Sequence, residues 1–380
     1  MGILRLLLAL AVVIDHAPSR LRGVFLGGEV AVQGFFIISG FYMAMVLDRR
    51  YNFKGATVLF YQQRYLRLAP MYWLTLAITL VAAGAHTVML HRLSKMIDHW
   101  VLYGRQLSPW TLCVLVGSQL TMVGMDVLTF CRLTGSPLHF AYTGLLGPPM
   151  AVTSFRLVPQ AWSLSSELLF YAMAPWLVRR STRLLVALVG GSFALRIGAA
   201  VWLGLWDGPW RNRCFLFEVG LFLIGALSYR WLDDAERLVR RSPRWCCAAA
   251  LALFASICVH ELMRLPTVWG DWIFLACVAV MTPILFAATQ SWRADRWVGE
   301  LSYPLYLLHW IVIFTLFPVM DRATGLMKEC LCVGVPLMVA IAGQLLLESR
   351  FDAMRHRIFR VKAAALAGAG PEGGRFERKA

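Results

Sequence analysis

Several ionisable side chains stand inside long apolar stretches of this sequence, where a charge is costly and is usually functional or paired. In the first stretch, Arg5 and His16 are 11 residues apart, which is close to three helical turns, so the two side chains share one face. They lie roughly 16 Å apart along the axis, at about 1.5 Å per residue. His16 is a candidate general base, because a neutral imidazole accepts a proton near pH 7. Asp15 is the adjacent acid, although it lies about 100° round the helix from His16.

Two further arginines, Arg64 and Arg67, precede Pro70 at the spacing i, i+3. On a helix this spacing presents one cationic face that suits a phosphate. The alternative is that both arginines only flank a membrane span, and the spacing alone favours this alternative.

A serine and a glutamate, Ser163 and Glu167, stand at i, i+4 in front of a further apolar stretch. They share one helical face, which predicts a polar site there. The alternative is a helix cap at Ser163, with Glu167 in the first turns of the helix.

Two pairs of polar residues lie deeper in apolar stretches. Arg196 and Glu218 predict a buried ion pair, which could be purely structural. Tyr306 and His309 are at i, i+3 and could form a hydrogen bond, and a satisfied structural histidine is the favoured interpretation of His309. The loop histidines have no metal-ligand spacing, so no metal site is predicted.

The composition indicates the elements that must position these residues. Of the 380 residues, 59% are hydrophobic and 15% are charged, and the mean hydropathy is +0.63. Soluble domains are nearer 45–50% apolar. The net charge of +16 comes from residues that flank apolar stretches, and no basic patch is interleaved with aromatic residues. The sequence therefore predicts an all-α integral membrane protein and no nucleic-acid partner.

Ten stretches are long enough to span a bilayer, which takes about 20 residues each. They cover residues 3–18, 29–47, 68–86, 160–178, 184–204, 214–231, 246–264, 271–289, 303–319 and 329–347.

The stretch 110–125 is ambiguous, and the loop charges decide its interpretation. Basic loops follow the spans 29–47 and 160–178, so both loops are expected in the cytoplasm. Between these two loops the chain must leave the cytoplasm once and return once, and the spans 68–86 and 160–178 do this. The stretch 110–125 is therefore predicted to be an interfacial or re-entrant segment. Both termini are then cytoplasmic. Residues 1–350 are expected to form the membrane domain, and residues 351–380 a basic and then disordered tail.

The polar residues fall within six motifs that follow one another along the chain. The motifs are Arg5 with His16, Ala31 to Phe41 with Ser39 and Gly40, Arg64-Tyr-Leu-Arg67-Leu-Ala-Pro70, Trp162-Ser163-Leu-Ser-Ser-Glu167, Leu301-Ser302-Tyr303-Pro-Leu-Tyr306-Leu-Leu-His309, and Glu348. With these motifs the chain resembles the membrane-bound acyltransferase 3 family, whose members modify cell-surface polysaccharides, lipids and antibiotics in bacteria. One departure is Gln33, where many members carry an acid.

The resemblance implies a multi-pass protein of the bacterial cytoplasmic membrane, surrounded by membrane lipid. It implies transfer of an acyl group, usually acetyl, from cytoplasmic acyl-CoA to a hydroxyl of an extracytoplasmic polysaccharide, lipopolysaccharide or lipid-linked sugar. No permanently bound cofactor is expected. His16, Glu167 and Asp15 are then the expected catalytic residues. Arg5, Arg64 and Arg67 are the expected acyl-CoA site.

Two other classes of protein would show some of these features. A proton-coupled transporter or flippase also carries Arg, His and Glu inside the membrane. The sequence lacks the matching halves with short, broken spans that would favour a transporter. A non-catalytic scaffold that has kept the fold is the third class, and it would tolerate replacement of His16. Direct transfer through a tunnel and a covalent acyl intermediate are both compatible with the sequence.

Overall fold

The computed structural model describes residues 1–53, 55–91, 93–133, 138–140, 151–206, 208–263 and 267–368. The helices of the first half are α1 (Gly2–His16), α2 (Gly28–Arg49), α3 (Ala56–Leu90), α4 (Asp98–Tyr103), α5 (Pro109–Thr121) and α6 (Trp162–Leu177). Those of the second half are α7 (Thr182–Leu203), α8 (Pro209–Asn212), α9 (Phe215–Tyr229), α10 (Leu232–Arg241), α11 (Pro243–Val259), α12 (Thr267–Thr289), α13 (Arg293–Glu300), α14 (Ser302–Arg322), α15 (Gly325–Glu329), α16 (Val335–Gly343) and α17 (Ser349–Gly368). Two short antiparallel strands, β1 (Cys131–Leu133) and β2 (Leu138–Phe140), pair with Arg132 opposite His139.

Eight helical segments of the described residues are long and apolar enough to cross a membrane. They correspond to eight of the ten predicted spans, and the last one continues through two π-helical turns from α15 into α17. The other two predicted spans correspond to α1, with 15 residues, and α6, with 16. The prediction of an all-α integral membrane protein is confirmed.

The ambiguous stretch 110–125 forms α5, which has 13 residues and is not among the eight long segments. Its length of roughly 20 Å is short of a hydrocarbon core of about 30 Å. The helix begins where the Ser108 hydroxyl accepts a hydrogen bond from the Thr111 amide at 3.1 Å, with Pro109 at the first position. Together with β1 and the turns around it, α5 packs over a small separate apolar cluster, whose buried members are Leu107, Leu115, Leu128, Leu133, Val152 and Phe155.

The centre of the bundle is the close crossing of α2 and α9. A Cβ atom on Gly40 would lie 1.8 Å from the carbonyl oxygen of Phe222, and one on Gly225 would lie 1.8 Å from that of Ile37. Only glycine therefore allows the two backbones to approach this closely. The crossing fixes α2, which also contacts α1, α6 and α12.

The end of the chain differs from the sequence-based expectation of a disordered tail. The helix α17 continues to Gly368, and residues 369–380 lie outside the described residues. The helix docks on the chain at α3, where the amine of Lys362 donates to the Gln62 side chain at 2.7 Å. Phe359 is buried edge-on to Tyr51, with ring centroids 5.4 Å apart. These tertiary contacts hold a segment whose composition alone favours disorder.

Candidate active site

A cavity of about 540 Å³ runs through the middle of the bundle, and we call it the arginine cavity. It brings together Arg5 of α1 with Arg64 and Arg67 of α3, the three residues predicted to bind the acyl donor. Six arginines line this cavity, namely Arg5, Arg50, Arg64, Arg67, Arg296 and Arg355. Four carboxylates accompany them, namely Glu167, Asp295, Glu300 and Asp352. The lining therefore carries an excess of positive charge.

The three predicted donor-site arginines are held near carboxylates without being bound to them. Among the described residues, none of the three forms a direct ion pair or a side-chain hydrogen bond. The charges of Glu348 and Asp352 act on Arg67 from a distance. The guanidinium of Arg64 lies 5.8 Å from the centre of the Phe60 ring. Their donors are thus available to an anionic ligand.

The start of α1, which positions Arg5, depends on Asp295. This carboxylate accepts hydrogen bonds from the backbone amides of Gly2 at 2.8 Å and Ile3 at 3.0 Å. Amides of a first helical turn have no partner within the helix, so a carboxylate from α13 satisfies them. Arg5 follows in the next turn and points into the arginine cavity.

Glu167 lies half-buried in the wall of the arginine cavity and accepts two hydrogen bonds from hydroxyl groups. The Ser39 hydroxyl donates to its Oε1 at 2.7 Å, and the Tyr171 hydroxyl donates to the same oxygen. Both hydroxyl groups thus converge on one carboxylate oxygen, which accepts from each. The sequence analysis did not single out Tyr171, although its spacing of i+4 from Glu167 was a usable signal.

Ser163 does not cap α6, because the helix has its N-cap at Ala161 and no side-chain cap bond. The Ser163 hydroxyl instead lies 2.6 Å from the hydroxyl of Tyr306 and donates to the carbonyl oxygen of Gln160 at 3.1 Å. Ser163 and Tyr306 both line the arginine cavity. The ring of Phe35 on α2 lies edge-on to Tyr306 at 6.4 Å, which places this hydroxyl pair beside the first half of α2.

His16 is exposed at the last residue of α1 and faces a second cavity of about 410 Å³, which we call the histidine cavity. The remaining lining residues of this cavity are His86, Leu93, Lys95, Trp310, Ile313, Phe314, Phe317 and Pro318. The Nδ1 atom of His16 lies 2.8 Å from the carbonyl oxygen of Val12 and must donate its proton there. A neutral His16 therefore keeps its lone pair on Nε2, as a general base requires.

His309 lies between a residue of each cavity, His16 and Tyr306, although it lines neither cavity. The ring of His309 lies 5.2 Å from that of His16 and 6.0 Å from that of Tyr306, measured between centroids. It is fully buried, and its Nδ1 donates to the Tyr306 carbonyl oxygen at 2.7 Å rather than to the hydroxyl. Its Nε2 has no hydrogen-bond partner among the described residues. The interpretation of a satisfied histidine therefore holds for only one of its two nitrogens.

Asp15 does not orient His16. Its carboxylate lies 3.4 Å from Nε of Arg22, whereas the Nδ1 bond of His16 goes to the backbone of Val12. Consecutive residues on a helix point in different directions, which explains the separation. The structure thus gives no contact for the catalytic role that was expected of Asp15.

Arg196 and Glu218 form the predicted ion pair, and Glu218 is fully buried. The amide of Gln33 donates to both oxygens of this carboxylate, at 3.1 and 3.2 Å. None of the three residues lines either cavity. A carboxylate at position 33 would face that of Glu218, so the amide found here fits the site.

Of the remaining motif residues, Ser302 and Tyr303 line the arginine cavity and Trp162 does not. The Ser302 hydroxyl donates to the Gly299 carbonyl oxygen at 2.7 Å, and the Tyr303 hydroxyl donates to that of Leu68 at 2.6 Å. The second bond ties α14 to α3 one residue after Arg67. Trp162 packs under the guanidinium of Arg213, which lies 5.1 Å from the ring centre.

The model of the acyltransferase 3 family, described as an acyltransferase domain, matches residues 1–327. The chain belongs to the acyltransferase 3 family. The match includes five of the six motifs, and α16, α17 and Glu348 lie beyond it. This acyltransferase 3 chain is therefore a multi-pass membrane acyltransferase.

One relative of this acyltransferase 3 chain is the exopolysaccharide production protein ExoZ of Rhizobium meliloti (strain 1021). It is 25% identical over 307 residues, which are 78% of this chain and 80% of ExoZ. No solved structure matches the chain.

Proposed function

We propose that the protein is an O-acyltransferase. It moves an acyl group, acetyl in the first instance, from acyl-CoA in the arginine cavity to a hydroxyl of a polysaccharide, lipopolysaccharide or lipid-linked sugar in the histidine cavity. The row of Tyr306, His309 and His16 carries this proposal, because it lies between a cationic cavity and one that contains a free imidazole nitrogen. The relative ExoZ, a polysaccharide production protein, supports a glycan as the acceptor.

The shape and charge of the arginine cavity support CoA as the donor. Eight residues of α2 from Val32 to Val46 line it, together with Arg50 just after the helix, which is roughly 27 Å of chain at about 1.5 Å per residue. CoA is an elongated molecule with a thioester at one end and phosphates towards the other. Arginine binds phosphate with several donors at once, and six arginines line this cavity.

The chemical step uses the lone pair on His16 Nε2. The acceptor hydroxyl oxygen attacks the acyl carbonyl carbon while His16 takes the hydroxyl proton. The new C–O bond forms, the C–S bond breaks, and the CoA thiolate regains a proton. If the acyl group is first transferred to a protein side chain, His16 takes the proton of the acceptor hydroxyl in the same way. Direct transfer and transfer through an acyl intermediate therefore both use this base. General base catalysis contributes about 10²- to 10⁴-fold to a rate.

The arginine cavity is proposed to face the cytoplasm of a bacterial cell, where acyl-CoA is made. Met1 and His356, from the first and last helices, both line this cavity, which supports both termini on one side. Arginine-rich segments at membrane edges favour the cytoplasmic side.

The test is mass spectrometry of surface glycans and glycolipids from cells that express the wild type, His16→Ala or His139→Ala. His139 is the matched control, because it is exposed on β2 and lines neither cavity. We expect an acyl mass with the wild type and the control, and a loss of about 10²-fold or more with His16→Ala at equal amounts in the membrane.

Two results would count against the proposal. Equal acylation by His16→Ala would exclude the base role of this residue. No acyl difference on any glycan or lipid with the wild type would overturn acyl transfer to a surface acceptor and favour the transporter or flippase.

A further inference from the structure

The last helix, α17, forms one end of the arginine cavity, although it lies beyond the residues that the family model matches. Asp352, Arg355 and His356 of this helix line the cavity. Arg355 shares this cavity with Arg64 and Arg67. A helix outside the family match is thus part of the wall of the proposed donor site.

The two ends of the arginine cavity differ in chemistry. One end holds Ser163 and Tyr306, next to His309 and the second cavity. The other end holds Arg50 and Arg355. An acyl group has to reach the first end, so the end of CoA farthest from the thioester lies at the second. That end is the adenosine with its 3′-phosphate.

Arg355 is buried, with 8% of its surface exposed, but its donors are not all used. The carboxylate of Asp352, one turn earlier, is its hydrogen-bonded partner. Its Nε atom has no partner among the described residues. A buried guanidinium with unused donors is costly, and a bound anion would satisfy it.

A second arginine is held at the same end by α17. The guanidinium of Arg50 lies 3.8 Å from the centre of the Phe359 ring. Phe359 is one turn after Arg355 and is buried. Contact with this ring fixes the Arg50 guanidinium while its N–H groups at the edge stay free to bind.

We propose that Arg355 and Arg50 form a phosphate-monoester site that binds the 3′-phosphate of CoA, so that α17 lets the protein distinguish CoA from dephospho-CoA. The inference rests on the proposed function only in taking CoA as the ligand. Arg64 and Arg67 then bind the diphosphate of CoA, which is closer to the thioester. A terminal helix outside the family match thereby contributes to donor selection.

The test is isothermal titration calorimetry of CoA and of dephospho-CoA with the full chain in lipid nanodiscs, without acceptor. The wild type is expected to bind CoA at least tenfold more tightly than dephospho-CoA. Arg355→Gln should lose about tenfold or more in affinity for CoA and keep its affinity for dephospho-CoA. Arg357→Gln is the matched control, because Arg357 is exposed on the same helix and does not line the cavity. It should behave as the wild type.

The outcomes separate this inference from the proposed function. Equal binding of both ligands by the wild type, or an equal loss of both in Arg355→Gln, would overturn the 3′-phosphate site alone. No binding of CoA at all would count against the proposed function as well. If Arg355→Gln does not fold, Arg50→Gln carries the same expectation. The titrations are repeated in discs with and without anionic phosphatidylglycerol. If the preference for CoA over dephospho-CoA is lost in the anionic discs, the site binds a lipid headgroup instead.

Discussion

At the scale of single residues, Glu218 and Glu167 show two uses of a carboxylate inside one bundle. Glu218 is enclosed by Arg196 and Gln33 and reaches neither cavity. Glu167 is held by two hydroxyl groups and faces the arginine cavity. A buried ion pair adds little net stability, but removal of one partner leaves a costly charge. We therefore assign the Arg196–Glu218 pair to the fold and Glu167 to the site.

This assignment predicts how the ion pair responds to substitution. Arg196→Met alone should lower the free energy of unfolding by about 3–5 kcal/mol, because Glu218 then remains buried without its cation. Arg196→Met with Glu218→Gln should recover most of this loss, since the new amide can bond with Gln33. Thermal unfolding in detergent measures the stability, and the acylation assay should show near-wild-type transfer by the double variant. Recovered folding with lost transfer would place the pair in the catalytic machinery instead.

Sequence reasoning at this scale succeeded where residues share a helical face and failed where a neighbour lies on another helix. The spacing of Arg64 and Arg67 predicted a shared helical face but favoured residues that only flank a span, and the structure places both arginines in a cavity with Arg5. The partner of Ser163 is Tyr306, 143 residues away, and no spacing rule contains that contact. Asp15 was chosen because it is adjacent to His16, although adjacent helical residues diverge.

At the scale of helices, the crossing of α2 and α9 determines the shape of both the core and the arginine cavity. One face of α2 lines the arginine cavity, and another face lies against α9 through Gly40 and Gly225. Any displacement of this crossing therefore moves the lining of the cavity.

Gly40→Ala tests the importance of this close approach. The new methyl group would lie 1.8 Å from the Phe222 carbonyl oxygen, so the two backbones must separate. Overpacking of this kind costs typically about 1–3 kcal/mol, and a backbone clash belongs at the upper end. Gly198→Ala is the control on α7, because no atom of the described residues lies within 4 Å of the position that its new methyl group would take. A lower unfolding midpoint and weaker CoA binding are expected for Gly40→Ala only, and equal behaviour of both variants would refute the crossing as described.

The helices themselves were largely predictable, and their ends were less so. Apolar length located ten helices, of which eight are long and apolar enough to cross a membrane among the described residues, and loop charge set α5 apart from them. The helix α17 was predicted to give way to disorder from residue 361, because Ala- and Gly-rich composition lacks a strong pattern. Its docking on α3 depends on contacts such as Phe359 with Tyr51, which join distant segments.

At the scale of the whole molecule, the arrangement of two cavities on either side of His309 could not be predicted from the sequence. It depends on how α1 and α14 pack, and hydropathy carries no information on which spans are neighbours. All six cavity arginines come from segments that the sequence analysis assigned to the cytoplasmic side, and that orientation stays a prediction.

The orientation of the molecule is the last prediction, and the donor assignment depends on it. Alkaline phosphatase, which is active only outside the cytoplasm, should be active when inserted after Gln106, an exposed residue between α4 and α5. The same enzyme fused after Ala380 should be inactive, and green fluorescent protein should fluoresce at that position. We expect this orientation because basic loops mark the cytoplasmic side and because an odd number of predicted spans lies between the cytoplasmic N-terminus and Gln106. Phosphatase activity at the C-terminus would place the arginine cavity on the side without CoA, and the donor would then need to be a different anion.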